Sequence, residues 1–271
     1  MRHRHELDRW FGQVDGATRA LGTIHAAIPG VLAKAGLSNH HLSPIARRSP
    51  FRCLMSLTLY AHPFSSYCQK VLVALYENDV PFEYRTLEDP SAMTELKARW
   101  PFARFPVLVD DGHTIVESTI IIEHLMLKHG GRARWLPDDP LEALEVRFLD
   151  RFFDNDVMSA MQKPVFEAIK KDNARADETM AEARRALDLA YGWLEQKLEG
   201  RTWAAGSTLS LADCAAAPSL FYADWVHTIA PAFPRLRAYR SRLLAWPAFA
   251  RAVDEARPFR QYFPLGAPDR D

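Results

Sequence analysis

Leu57-Thr58-Leu59-Tyr60-Ala61-His62-Pro63-Phe64-Ser65-Ser66-Tyr67-Cys68-Gln69-Lys70-Val71-Leu72-Val73-Ala74-Leu75 is the stretch that decides how this chain folds. Leu57, Leu59 and Ala61 alternate with Thr58 and Tyr60, the period of a strand. His62 and Pro63 break it. Ser65 and Ser66 are residue types that cap helices. Cys68, Val71, Leu72 and Leu75 then recur at helical spacing, which leaves Gln69, Lys70 and Glu77 for the other face. A hydroxyl therefore sits at the start of a helix, just past the end of a strand. Free N–H groups and the helix dipole both favour an anion or a thiolate at such a place.

Downstream, Val80 to Leu87 alternates as a second strand and Ser91 to Trp100 reads as a short helix. Phe105-Pro106-Val107-Leu108-Val109 is a strand opened by proline. Asp110-Asp111-Gly112 is a hairpin turn, and Thr114-Ile115-Val116 is the returning strand. Glu117-Ser118 closes it, with Ser118 the expected cap of a helix over 119–129 that stops at Gly130-Gly131. From Asp138 the pattern is helical throughout. Leu141, Leu144, Phe148, Leu149, Phe152 and Phe153 form one apolar face. Ala183 to Leu198 carries Leu187, Tyr191, Leu194 and Leu198 on another. Ser210-Leu211-Ala212-Asp213 has the form of a capping box with Asp in place of Glu or Gln. Helices over 236–245 and 247–256 follow, and the Pro-rich tail is expected to be irregular. The order implies an α/β domain over 55–131, a linker near 130–140, an all-helical domain over 138–258 and a tail over 259–271.

At 271 residues the chain is long enough for about two domains. Lys plus Arg equals Asp plus Glu at 34 each, so there is no electrostatic reason to expect nucleic acid as a partner. No apolar run approaches the ~20 residues that span a bilayer, and no membrane partner is expected. Cys53, Cys68 and Cys214 form no C-x-x-C pair and no metal-ligand cluster, so no metal is expected and a reduced, cytoplasmic protein is the simplest reading. Residues 1–54 are basic and Pro-broken. They read as a disordered extension or as the product of a start placed upstream of Met55, with an organellar transit peptide the open alternative.

Four pieces together resemble the soluble glutathione transferases: Ser65 to Val71, Trp100 to Leu108, Val116-Glu117-Ser118 with Ile122, and Ser210 to Asp213. The likeness covers nearly all of the chain after Met55. It implies a thioredoxin-like N-terminal domain, an all-helical C-terminal domain, glutathione as co-substrate and a homodimer. Residue by residue, Ser65 matches the serine whose hydroxyl contacts the glutathione sulfur in serine-type classes, with its neighbour Ser66 the alternative. Pro106 matches the family's cis-proline, with Phe105 and Val107 offering backbone groups to the tripeptide. Glu117 and Ser118 match the pair that holds the γ-glutamyl end. Arg104, within Ala103-Arg104, stands where the family often has Gly-Lys or Gly-Gln and keeps a basic contact there. No cysteine occupies position 65, which argues against thiol–disulfide exchange. The activity implied is conjugation of glutathione to a small apolar electrophile. Glutathione-dependent isomerisation or dehalogenation, or a non-catalytic binding role on the same fold, are the alternatives.

The chemistry suits a hydroxyl. A thiol of pKa about 8.5 is only about 3% ionised at neutral pH. A hydrogen bond to the charged form is worth roughly 1.5–3 kcal/mol, or about one to two pK units. Ser65 need not be a nucleophile. Cys68 reads as a buried structural cysteine by its apolar spacing, His62 as a loop residue beside proline, and Ser210 and Asp213 as folding residues.

Overall fold

The computed structural model describes residues 57–170 and 172–271. The extension over 1–54 lies outside them. Strand β1 (Leu57–Ala61) is followed by α1 (Ser66–Glu77), β2 (Glu83–Thr86), α2 (Pro90–Arg99), β3 (Val107–Asp110), β4 (His113–Val116) and α3 (Ser118–Lys128). The sheet order is β2-β1-β3-β4, with β1 and β2 parallel and the other two pairs antiparallel. This is the thioredoxin-like unit. Alternation along the strands divides the sheet into two buried faces. Leu57, Leu59, Ala61 and Leu108 join one core with α1 and α3, while Tyr60, Val107 and Val109 pack on Ala92 and Leu96 of α2. The β3–β4 loop is two residues, Asp111 (φ 48°) and Gly112 (φ 83°), as the hairpin signal implied.

The helical half comprises α4 (Pro140–Phe152), a π-helical turn (Phe153–Met158), α5 (Ser159–Ile169), α6 (Ala176–Lys197), α7 (Leu211–Val226), α8 (Pro234–Ala245) and α9 (Pro247–Ala256). Asp213 anchors the start of α7. Its buried carboxylate accepts from the Ser210 N–H (2.8 Å), the Ser210 hydroxyl (2.9 Å), the Ala204 N–H (2.9 Å) and the Tyr239 hydroxyl (2.6 Å). The connection between the halves is pinned to the end of α1. Asn78 accepts from the Ala133 N–H at 2.7 Å, and a Cβ on Gly131 (φ 135°) would fall 2.2 Å from Asn78 Cγ.

The structure departs from the sequence reading in several places. Gln69 and Lys70 do not face solvent. Both are fully buried, because α1 is packed on α3 on one side and on α7 and α9 on the other. Glu77 likewise turns inward and accepts from the Trp246 indole at 2.6 Å. An apolar stripe marks the face toward the sheet, but it cannot show that a second domain covers the opposite face. On α4 the expected apolar face is split: its Leu149 and, just past the helix, Phe153 are buried, but its first three members are not. Leu141, Leu144 and Phe148 are exposed, and Ala143, Val146 and Leu149 are buried. Strand β2 is shorter than the alternating run. Ser118 is the first helical residue of α3, with Glu117 in the cap position. The tail begins with a 3₁₀ turn over Arg257–Tyr262, and Phe263 is buried. Among the described residues no helix is long and apolar enough to cross a membrane.

Candidate active site

Strand register gathers the candidate residues. Val107 pairs with Tyr60 on one side and Val116 on the other. The end of β1, the start of β3 and the end of β4 therefore meet at one edge of the sheet. The loop into α1, the Phe105-Pro106 bond and Glu117-Ser118 all project from that edge. The Phe105-Pro106 bond is cis. Val107 lies within the sheet with its side chain buried, so Phe105 is the neighbour of Pro106 that stands outside the strand ladders.

Ser65 occupies the N-cap position of α1 (φ −85°, ψ 124°), yet no side chain caps the first-turn N–H groups. The Ser65 hydroxyl bonds instead with the Cys68 side chain, which also accepts from the His62 N–H at 3.5 Å. Burial outweighs both bonds and pushes the Cys68 thiol up to about 12. Cys68 is thus an inert thiol, as its spacing suggested. The uncapped N–H groups and the partly exposed Ser65 hydroxyl form a positive, donor-rich corner suited to a thiolate. Ser66 is nearly buried and lines a crevice facing the helical half.

Glu117 has φ 70° and ψ 119°, a region that costs a non-glycine residue about 1–3 kcal/mol. Its carboxylate lies 3.4 Å from the Arg104 guanidinium. Both side chains are more than half exposed, so the pair adds little stability and is free to exchange partners with a ligand. Ser118 is buried at the first turn of α3, where N–H groups are again open to an anion.

His62 is not a base. Its Nδ1 accepts from the Phe64 N–H at 3.1 Å, which fixes the tautomer with Nε2 donating to Glu88 at 2.9 Å. Burial holds its pKa down at about 3.

Sequence reasoning missed the charged cluster behind the site. The buried Lys70 ammonium lies 2.6 Å from Asp150 and 2.8 Å from Asp154, and donates to Thr119 at 2.9 Å. Thr119 donates to Asp150 at 2.8 Å, and Arg151 closes the group from the solvent side at 2.8 Å from Asp150. Asp154 sits on the π turn, a local widening that helical periodicity cannot reveal. Burial raises its pKa against the pull of Lys70. Ser66, Tyr67, Lys70, Asp154, Met158 and Pro218 are among the residues lining a crevice too tight to admit a water molecule. Burial, helped by Asp154, pushes the Tyr67 phenol up to about 12. Over the β1–α1 loop lies an aromatic lid. The Tyr222 hydroxyl donates to the Phe64 carbonyl (3.0 Å) and accepts from Gln69 (3.1 Å), while Phe259 packs edge-on to His62. Phe153 and Phe221 are core, with Phe152 and Trp225 partly buried against them.

Residues 59–133 match the family model of the glutathione S-transferase N-terminal domain, and residues 157–247 match that of the C-terminal domain. The chain belongs to the glutathione S-transferase family. It is 32% identical over 180 residues to FtsZ-localized protein A of Caulobacter vibrioides, a match covering 62% of this chain and 77% of that protein. It is 26% identical over 207 residues to a probable maleylacetoacetate isomerase of Caenorhabditis elegans, covering 74% and 94%. An epsilon-class glutathione S-transferase from the housefly Musca domestica superposes with a TM-score of 0.65 at 23% identity, over 78% of this chain and 96% of that one, a likeness of fold.

Proposed function

We propose that this family member binds glutathione along the edge formed by Phe105, Pro106, Glu117 and Ser118, and transfers its thiolate to a small apolar electrophile. The observation that carries this reading is the register that brings three loops to one sheet edge, with an uncapped helix N-terminus among them. Glu117 pairs with the γ-glutamyl ammonium and Arg104 with a carboxylate. Ser118 and the first N–H groups of α3 receive the carboxylate beside that ammonium. The Ser65 hydroxyl turns from Cys68 to the incoming sulfur, and with the α1 N–H groups it lowers the thiol pKa. The tripeptide supplies the nucleophile; the protein supplies ionisation and orientation.

Ser65→Ala tests the assignment. The hydrogen bond lost to a charged sulfur corresponds to a fall of about 10- to 150-fold in kcat/KM near neutral pH, and the rate is regained as pH rises. An unchanged rate, in Ser65→Ala and again with Ser66 also replaced, would refute it. Isomerisation is a variant of the same chemistry, supported by the relative named a probable maleylacetoacetate isomerase. A non-catalytic role is favoured by two other observations: the narrow crevice beside Ser66, and the likeness to a protein named for its localisation with FtsZ. Retention on immobilised glutathione with no turnover across a broad electrophile panel would select that reading.

A cytoplasmic homodimer fits the surface. Ile120 and Leu127 on α3 and Leu141, Leu144 and Phe148 on α4 are all more than half exposed. The Arg147–Glu123 bridge (2.8 Å) ties the two helices together within this patch. Neighbouring exposed apolar residues of this kind support an interface with a second copy.

A further inference from the structure

We propose that Asp110, His124 and His129 form a binding site for a first-row divalent cation, zinc above all. The three residues sit on rigid positions: the last residue of β3, a mid-helix residue of α3 and the α3 C-cap. Both imidazole Nε2 atoms converge on one oxygen, Asp110 Oδ2, at 2.7 Å (His124) and 2.9 Å (His129). The three donor atoms all lie within 4.8 Å of one another. A tetrahedral zinc ion with bonds of about 2.0–2.2 Å needs its ligand atoms about 3.3 Å apart, so insertion lengthens the two nitrogen–oxygen separations by only about half an ångström. Two imidazoles and a carboxylate are a donor set this ion favours, with water left to fill the fourth position.

The surroundings point the same way. The Asp110 side chain has no solvent exposure, and its Oδ1 accepts no hydrogen bond of good geometry. The nearest charge to that oxygen is the Lys128 ammonium, 3.0 Å away as an ion pair. Lys128 also lies 2.9 Å from Asp111 Oδ2 on the turn outside. Asp111 can hold the ammonium while a cation takes its place on Asp110. Binding exchanges the Nε2 protons for the metal, and each imidazole then carries its proton on Nδ1. The site lies at the opposite end of β3 from the cis-proline, so it clamps the β3–β4 hairpin to the end of α3 and takes no part in handling glutathione. His124 and His129 are separated by 14 and 19 residues from Asp110, a spacing with no local motif.

The test uses the full chain, stripped of metal with a chelator and titrated with cobalt(II) and zinc. Cobalt should give the visible bands of a tetrahedral nitrogen- and oxygen-ligated ion, and zinc should raise the melting temperature. His124→Asn with His129→Asn should weaken zinc binding at least tenfold and abolish both signals. Five histidines upstream, His3, His5, His25, His40 and His41, offer further imidazoles to an added metal. The difference between wild type and double variant is therefore the decisive quantity, and equal uptake by the two overturns the proposal. Lys128→Met retains all three ligands and removes the competing ammonium. It should bind zinc several-fold more tightly. This arm holds even where the double variant fails to fold, and an affinity no tighter than wild type overturns the placement at Asp110.

Discussion

Replacing Lys70 with methionine probes the junction between the two halves. The ammonium is buried between two carboxylates, at 2.6 Å from Asp150 and 2.8 Å from Asp154, and both acids are themselves almost without exposure. Methionine fills a similar volume but leaves both carboxylates facing the half-exposed Arg151 alone. Breaking a buried pair from one side costs about 3–5 kcal/mol. For a protein of this size each kcal/mol moves the melting temperature by about 2–4 °C, so the variant should melt roughly 10 °C lower. The loss should depend on pH. The folded pKa of Asp154 is already raised by burial, and removing Lys70 raises it further. Between the unfolded and folded pKa values the native state then binds more protons than the unfolded state, so stability falls as pH rises. The deficit should be larger at about pH 8 than at about pH 5. Thermal melts of wild type, Lys70→Met, and Lys70→Met with Asp154→Asn measure this. The double variant, which neutralises the stranded acid, should recover a large part of the loss. A deficit below about 1 kcal/mol, or one equal at both pH values, or no recovery in the double variant, would show that the cluster is not held by Lys70.

Two other outcomes follow from the same geometry. Cys68 and Cys214 are fully buried, and burial raises both thiols, so neither should react with a disulfide reagent in the native protein at about pH 8, while both react once it is unfolded. Native labelling of Cys68, located by peptide mass, would contradict the reading of that residue as inert. Leu141→Asp with Leu144→Asp, on the exposed face of α4, should convert a dimer to a monomer in sedimentation with the melting temperature of the fold nearly intact; a dimer that persists would place the interface elsewhere.

The elements of the first half were legible because each carries a short-range signal: the alternation of β1, the Asp111-Gly112 turn, the Gly130-Gly131 stop. The site edge was legible only through the combination of Ser65, Pro106 and Glu117-Ser118, and topology then brought these distant positions to one side of the sheet. What could not be read was anything that depends on the other domain. Lys70 and Gln69 look like surface residues by helical phase, yet α7 covers them. Leu141, Leu144 and Phe148 look like core by composition, yet the buried phase of α4 runs through Ala143, Val146 and Leu149. The π turn that presents Asp154, and the meeting of Asp110 with His124 and His129, have no periodicity to betray them.

A crystal structure of the protein grown with glutathione tests the central claim most directly. The sulfur should lie within about 3.5 Å of the Ser65 hydroxyl, at the N-terminus of α1, with the γ-glutamyl group against Glu117 and Ser118. A bound tripeptide whose sulfur sits away from both Ser65 and Ser66, or a protein that takes up no glutathione, would contradict the account.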